Sequence, residues 1–179
     1  MMHGAIEETK PVETIYYSTM ESEFGILAVA FTKNGICAVT LSGSVEGAEA
    51  YLRKEYPKVK LLERSENSYP REILASLDGK NTALPLDLKG TDFQKEVWQA
   101  IRNIPYGSTA TYSEIASYIG RPRSYRAVAN ACADNPVPLI IPCHRVVRKN
   151  GDLGGYGLGI DTKRKLIDYE KSKLQSSTL

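Results

Sequence analysis

The hydrophobic pattern of the chain changes near residue 90, and this change limits the folds that the chain can adopt. Before it, apolar residues form short runs or alternate with polar ones, which is typical of β-strands. After it, apolar residues recur every three or four positions, which is typical of amphipathic helices. The 179 residues therefore predict an α/β fold of the α+β type, with a strand-rich first part and a mostly helical second part.

The first half of the chain carries the strand pattern together with one helical segment. The predicted elements are strands at 14–19, 25–32 and 36–41, a helix at 44–56, and further strands at 59–63 and 84–88. A Lys-Asn-Gly turn joins the second and third strands. Together these elements predict a small α/β domain built on a meander or hairpin.

Residues 78–90 contain two glycines and a proline, which are typical of a connection between structural units. We therefore place a domain boundary here. The prediction is an N-terminal α/β domain at 1–88 with a supporting role, and a C-terminal domain at 89–179 that contains the reactive residues.

Two residue pairs in the second half have the spacing of capping boxes, Thr91 with Gln94 and Thr111 with Glu114. Helices are predicted from 91 to the Pro-Tyr-Gly turn at 105–107, at 112–119, at 125–134 and at 162–173. The second and third of these helices are joined by a short Gly/Pro turn, which predicts a helix-turn-helix of winged-helix-like type.

Positive charge is concentrated at this turn, where Arg121, Arg123 and Arg126 lie close together in the sequence. Residues 91–179 carry 13 Lys and Arg against 8 Asp and Glu, whereas residues 1–90 carry 10 against 13. A basic second half suits contact with a polyanion. From the residues alone, a structural helical hairpin with exposed arginines is an equally good interpretation.

The composition excludes several classes of protein. No apolar run is long enough to span a membrane, and residues 1–12 lack the apolar stretch of a secretory signal, so a soluble protein of the cytoplasm is expected, or of the nucleus in a eukaryote. The three cysteines form no Cys-x-x-Cys pair, which favours a reduced compartment. With only two histidines, one of them His3, neither a metal site nor a cofactor is predicted.

The segment from Asn135 to Val147 contains three prolines, which stiffen the backbone on the approach to Cys143. Cys143 is followed by His144 and Arg145, so a base and a cation are available to favour the thiolate. Neighbours on an extended chain point in opposite directions, so a water between Cys143 and His144 is easier to arrange than direct contact. Glu170, on the C-terminal helix, is the carboxylate that we expect to orient the imidazole. Cys37 and Cys132 are interpreted as small buried apolar residues.

The motif Ile-Pro-Cys-His-Arg-Val at 141–146 resembles the active-site motif of the O6-alkylguanine-DNA alkyltransferases, also called methylated-DNA–protein-cysteine methyltransferases. The surrounding motifs agree in order and spacing, and they are Gly107 to Tyr112, Arg126-Ala127-Val128, Asn135-Pro136-Val137-Pro138, Gly154-Gly155-Tyr156, Lys163 and Glu170. The resemblance covers about residues 91–170, with a weaker likeness of the strands between Phe24 and Leu41.

The resemblance implies direct, single-use repair of DNA by a suicide enzyme. Cys143 would accept the alkyl group from O6 of guanine, and O4-alkylthymine is a further substrate to consider. His144 would act as the base through a water, with Glu170 hydrogen-bonded to it. Tyr112 would lend a proton to the guanine leaving group.

The resemblance also implies how the substrate is held. Arg126 would enter the base stack of double-stranded DNA in place of the flipped nucleotide, with the helix-turn-helix in the minor groove. Asn135 would tie the recognition helix to the active-site turn. Small residues on that helix would permit close approach to the groove, namely Ala127, Ala129, Ala131 and Ala133. A monomer is expected, and cooperative assembly on DNA is left open.

The remaining implied contacts form the substrate pocket. The main-chain carbonyls of Val146 and Cys143 would accept hydrogen bonds from the guanine amino group. Tyr156 and Gly157 would form the pocket lid, and Arg123 and Pro138 would contact DNA or substrate. Many relatives carry a hydroxyl residue where this chain has Gly157, so only the main-chain N–H can serve there.

Three rival functions stay open on the sequence alone. A non-catalytic relative that binds alkylated bases would lack the acceptor, and Cys143 argues against it. A sequence-specific helix-turn-helix regulator leaves the Pro-Cys-His-Arg loop unexplained. A cysteine hydrolase using Cys143, His144 and Glu170 should turn over ester or amide substrates.

Overall fold

The structure is a computed structural model, and it describes residues 14–59, 62–64 and 66–177. The described strands are β1 Ile15–Ser22, β2 Gly25–Thr32, β3 Gly35–Ser42, β4 Leu62–Arg64, β5 Ala110–Thr111 and β6 Val146–Val147. The described helices are α1 Val45–Glu55, α2 Tyr69–Leu77, α3 Asp92–Arg102, α4 Tyr112–Tyr118, α5 Tyr125–Ala133 and α6 Ile160–Ser176, with a 3₁₀ turn at Cys143–Arg145. The mixed α/β class that the sequence predicts is confirmed.

The larger sheet has the strand order β3-β2-β1-β4. Strands β1 to β3 form an antiparallel meander, and β4 adds parallel to β1. Gly35 has φ +147°, and a Cβ there would lie 2.6 Å from the Pro85 carbonyl oxygen. A glycine is therefore required where the 84–88 segment crosses the start of β3. That segment makes only an isolated bridge, Ile36 to Leu86, so the strand predicted at 84–88 is wrong.

Several predicted boundaries change in the structure. The meander strands are confirmed, with β1 extending three residues beyond the prediction. The strand predicted at 59–63 is shifted to β4, and residues 60 and 61 lie outside the described part. Helix α2 has no counterpart in the sequence prediction, because Ser68 and Pro70 obscure its apolar spacing. Helix α6 begins two residues earlier and ends three residues later than expected.

One hydrophobic cluster joins the two halves of the chain across the predicted boundary. Leu27, Val29 and Val39 of the sheet belong to the same buried cluster as Val97 and Trp98 of α3. A backbone hydrogen bond of 2.9 Å from the Val39 N–H to the Pro136 carbonyl also links β3 to the loop before Cys143. The N-terminal half therefore packs directly on the loop that leads to Cys143.

The helices α4 and α5 pack together and are joined by a turn at residues 119–124, which gives the helix-turn-helix arrangement. Both capping boxes are confirmed, with Thr91 and Thr111 each accepting from the N–H three residues later. The winged-helix detail stays a prediction. Among the described residues, no helix combines the length and apolar character that crossing a membrane requires.

We predict that both halves unfold in one transition. Trp98 is the only tryptophan, so its fluorescence reports the C-terminal half, while far-UV circular dichroism reports all elements. Leu27→Ala, a deletion in the sheet, should lower the free energy of unfolding seen by both probes, by about 2–5 kcal/mol. The exposed Ile160→Ala variant is the control. If Leu27→Ala does not change the free energy of unfolding measured by Trp98 fluorescence, the two halves unfold separately.

Candidate active site

The loop between α5 and β6 holds Cys143 in a defined backbone conformation. Leu139 has φ +75°, a left-handed conformation that is uncommon for a residue with a Cβ. The Cys143 N–H donates to the Ile141 carbonyl at 2.7 Å across Pro142, which forms an inverse γ-turn. Cys143 then begins a 3₁₀ turn. The extended chain that we expected at Cys143–His144 is therefore wrong.

Cys143 is buried, with 6% of its surface exposed. The Asn135 Nδ2 donates to Cys143 Sγ at 3.1 Å and to the Ile141 carbonyl at 2.8 Å, so Asn135 ties the end of α5 to the active-site loop as the resemblance implies. Burial raises the pKa of the Cys143 thiol, and the Asn135 hydrogen bond and the Lys163 cation offset this only in part. The thiol is thus protonated at neutral pH, and a base is needed to activate it.

His144, the next residue in the chain, is fully buried. Its Nε2 is 2.7 Å from Glu170 Oε1. Burial lowers the pKa of His144, although the Glu170 carboxylate opposes this, so the imidazole is neutral at neutral pH. An ionised carboxylate can only accept, so Nε2 carries the proton and Nδ1 keeps a lone pair. Among the described residues, Nδ1 has no hydrogen-bond partner, and it is the atom available as a base.

Glu170, in α6, is the centre of a buried hydrogen-bond network. Arg145 donates to both of its carboxylate oxygens at 2.9 Å, and the Gly107 N–H donates to Oε2 at 3.0 Å. Burial raises the pKa of Glu170, but the hydrogen bonds from His144 and Arg145 outweigh it and lower the pKa to about 2. The sequence identified Arg145 only as a cation near the thiol, and its role as the partner of Glu170 was missed.

Lys163 is buried as well, and within the described part of the chain its Nζ donates to main-chain carbonyls. The acceptors are Val146 at 2.6 Å, Leu153 at 2.5 Å and Gly155 at 3.3 Å. These bonds connect β6 to the loop that leads to Tyr156. From the sequence, Lys163 was recognised as part of a motif but was assigned no role. Its burial in an otherwise amphipathic helix is the feature that could have indicated one.

A cavity of about 770 Å³ opens beside α5, and we call it the α5 cavity. It is lined by Tyr112, Arg126, Arg148, Tyr156 and Gly157 among others. Burial is the largest cause that raises the pKa of Tyr112 to about 12, with the neighbouring Cys132 and Cys143 thiols adding to it. Tyr112 therefore keeps its proton at neutral pH and can donate it to a group in the cavity.

The exposed face of α5 presents Arg126, whose guanidinium lies 5.8 Å from the centre of the Tyr125 ring. Arg123 is exposed in the turn before α5, whereas Arg121 is bound to Glu96 at 3.0 Å. Ala127 and Ala133 are exposed and Ala129 is half-buried. Ala131 is 2% exposed and its carbonyl accepts from Trp98, so its expected place on the groove-facing side is wrong.

Gly157 and Pro138 line the same cavity as Cys143, whereas Val146 is fully buried and lines neither of the two cavities beside α5 and Cys143. The Val146 carbonyl accepts from Lys163, and the Cys143 carbonyl accepts from the Val146 N–H. Gly157 is exposed, and a Cβ there would meet no atom within 4 Å. Pro138 lies beside Cys143 on a second cavity, of about 370 Å³, which we call the thiol cavity.

The fold and the site define a protein with a buried cysteine, a buried His–Glu pair, a helix-turn-helix and a cavity lined partly by basic residues. Residues 92–172 match the family model described as 6-O-methylguanine DNA methyltransferase, DNA binding domain. The chain is 41% identical over 160 residues to the Bifunctional transcriptional activator/DNA repair enzyme Ada of Escherichia coli, covering 87% of this chain and 45% of that protein. This chain therefore spans about half the length of that relative.

Two further relatives match over nearly their whole length. The inducible methylated-DNA–protein-cysteine methyltransferase of Bacillus subtilis is 39% identical over 171 residues, with 93% of this chain and 94% of that protein covered. The crystal structure of Mycobacterium tuberculosis OGT in complex with DNA superposes with a TM-score of 0.74 at 35% identity, covering 88% and 94% of the two chains. The chain belongs to the methylated-DNA–protein-cysteine methyltransferase family.

Because the folded-state pKa of Glu170 is about 2 against an ordinary 4.5, its ionised form stabilises the fold above pH 4.5, and this stabilisation is lost as the pH falls towards 2. We expect Glu170→Gln to lower the free energy of unfolding at pH 7 by about 3 kcal/mol. The difference from the parent should shrink between these pH values in denaturant titrations.

Asp161→Asn is a matched control, because this carboxylate is exposed and bound only to the exposed Arg164. Its effect should stay below about 1 kcal/mol. A Glu170→Gln deficit that does not change from pH 7 to pH 2 would contradict the proposed origin of the stabilisation.

Proposed function

We propose that the protein repairs alkylated DNA by transferring the alkyl group from O6 of guanine to Sγ of Cys143, once per molecule. The observation that carries this proposal is the buried Cys143 thiol followed directly in the chain by His144, whose Nε2 is fixed by Glu170 and whose Nδ1 has no hydrogen-bond partner among the described residues. Membership of the family supports it further. O4-alkylthymine is a secondary candidate substrate.

Activation of the thiol begins with His144. Its Nδ1 takes the thiol proton through a bridging water, and Glu170 stabilises the imidazolium that forms. Arg145 keeps Glu170 ionised throughout. The Asn135 N–H donates to Sγ and thereby stabilises the developing thiolate.

The transfer is an in-line displacement at the alkyl carbon. The S–C bond forms as the C–O6 bond breaks, and Tyr112 donates a proton to the guanine that leaves. The carbonyls of Val146 and Cys143 accept from the guanine amino group, while Tyr156 and the Gly157 N–H close the pocket. The product is a thioether, which water does not readily cleave, so each molecule acts once and no cofactor takes part.

The substrate is a base within double-stranded DNA, and its O6 is hidden until the nucleotide is extruded. Helix α5 would lie in the minor groove, where sequence discrimination is weak, with Arg126 filling the space of the extruded base. Arg123 and Arg148 would contact phosphates. The protein would act as a monomer wherever the chromosome lies, in the cytoplasm or the nucleus, and cooperative assembly on DNA is a further expectation to test.

The first experiment measures intact mass after incubation with duplex DNA that contains O6-methylguanine. We expect one added methyl group per molecule, located on Cys143 by peptide mapping. Cys143→Ser should abolish the mass change while DNA affinity is kept. Cys132→Ser is the matched control, because Cys132 also lies on the cavity walls and should leave transfer intact.

The rival functions give different results in the same experiment. Repeated turnover of an ester or amide without a stable mass change would favour a cysteine hydrolase. Binding to one DNA sequence without transfer would favour a regulator. A methyl group found on Cys37 or Cys132 would contradict the assignment of the acceptor.

Arg126 should act in extruding the base more than in the pocket chemistry. We expect Arg126→Ala to slow single-turnover repair of duplex DNA by about 10²-fold while leaving the reaction with free O6-benzylguanine, which needs no extrusion, nearly unchanged. Arg123→Ala is the control and should weaken DNA binding in a salt-dependent way. Equal losses of Arg126→Ala on both substrates would place Arg126 in the pocket instead.

A further inference from the structure

The acceptor thiol does not lie on the same cavity as Arg126. Tyr112 and Arg126 line the α5 cavity, whereas Cys143 lines the thiol cavity. The two cavities share four wall residues, which are Cys132, Ala133, Tyr156 and Gly157. The two spaces are thus neighbours, with a shared wall that includes a residue without a side chain.

The far wall of the thiol cavity comes from the N-terminal half. The residues are Val39, Thr40, Leu41 and Ser42 of β3, together with Gly47 and Tyr51 of α1. The C-terminal half contributes Asn135, Pro138, Cys143 and Leu158 besides the four shared residues. Residues 1–88 were expected only to support the C-terminal domain. The structure shows that some of them also form part of the cavity wall around Cys143.

We propose that this N-terminal wall, and Tyr51 above all, determines how large an O6 substituent the protein accepts. The inference rests on the proposed function and names the substrate class that the same site can take. It assigns guanine to the α5 cavity and the substituent to the thiol cavity. The class is uncharged O6-arylmethyl and longer O6-alkyl groups in addition to methyl.

The geometry of the displacement supports this assignment. Sulfur, the attacked carbon and O6 lie nearly in line, so everything else bonded to that carbon projects sideways into the space beside Sγ. Cys143 is 6% exposed, and the thiol cavity, of about 370 Å³, is the space that it lines. A methyl group needs little of that space, whereas a benzyl ring must extend towards the surrounding wall.

Gly157 is suited to connect the two spaces. It lines both cavities, and a Cβ there would meet nothing within 4 Å. A substituted base can therefore extend past residue 157 without displacing a side chain. After transfer the group stays on Sγ, so the thiol cavity must also hold it in the product.

Tyr51 is a suitable residue to test because it is 37% exposed and its replacement leaves the core intact. Single-turnover rates are measured with O6-methylguanine, O6-benzylguanine and O6-(naphthylmethyl)guanine in the same duplex. Tyr51→Trp should slow benzyl transfer about tenfold, and Tyr51→Ala should speed naphthylmethyl transfer about tenfold. Both variants should transfer methyl within about twofold of the parent. Tyr118→Ala, an exposed tyrosine away from the cavity, should change no rate.

The outcomes are distinguishable. Rate ratios between substrates that do not move in either Tyr51 variant overturn the inference. Equal losses for all three substrates also overturn it, because they would make Tyr51 a structural residue. A parent protein that transfers no methyl group from O6-methylguanine would instead overturn the proposed function.

Discussion

The buried carboxylate of Glu170 is the interaction on which the rest of the site depends. A charge removed from water must be compensated, and here Arg145 supplies the opposite charge and the Gly107 N–H a further hydrogen bond. Because Arg145 supplies that charge, His144 can stay neutral beside the carboxylate. The same carboxylate connects α6, the active-site loop and the turn before α4, so the orientation of the imidazole is set by three separate segments.

Much of the fold was predictable where local rules decide the structure. The strands of the meander and the two capping boxes follow from short sequence patterns, and the structure confirms them. Helix α2 and the 84–88 segment were not predictable, because their conformation is set by packing on the sheet. For example, the Ile36 N–H donates to the Pro85 carbonyl and the Asp87 N–H donates to the Ile36 carbonyl. These bonds require the close approach of the two segments that Gly35 allows.

The site shows a similar division. Cys143, His144, Asn135 and Glu170 were expected together, and the structure places them in contact through Asn135 and through the His144–Glu170 pair. The roles of Arg145 and Lys163 were missed, since both depend on which main-chain carbonyls and side chains come close in space. Arg126 and Tyr112 lie together on one cavity, but nothing in the sequence indicated that Tyr51 would share a cavity with the thiol.

The hydrogen bond from Val39 to Pro136 and the shared hydrophobic cluster limit how the two halves can be recombined by protein engineering. Cys143 belongs to one half of the chain, while part of the wall of the cavity that it lines belongs to the other. A chimera that joins residues 1–88 of one family member to the C-terminal half of another would combine surfaces that did not evolve against each other. Changes to the strands therefore alter the surroundings of Cys143, more than a hundred positions away in the sequence.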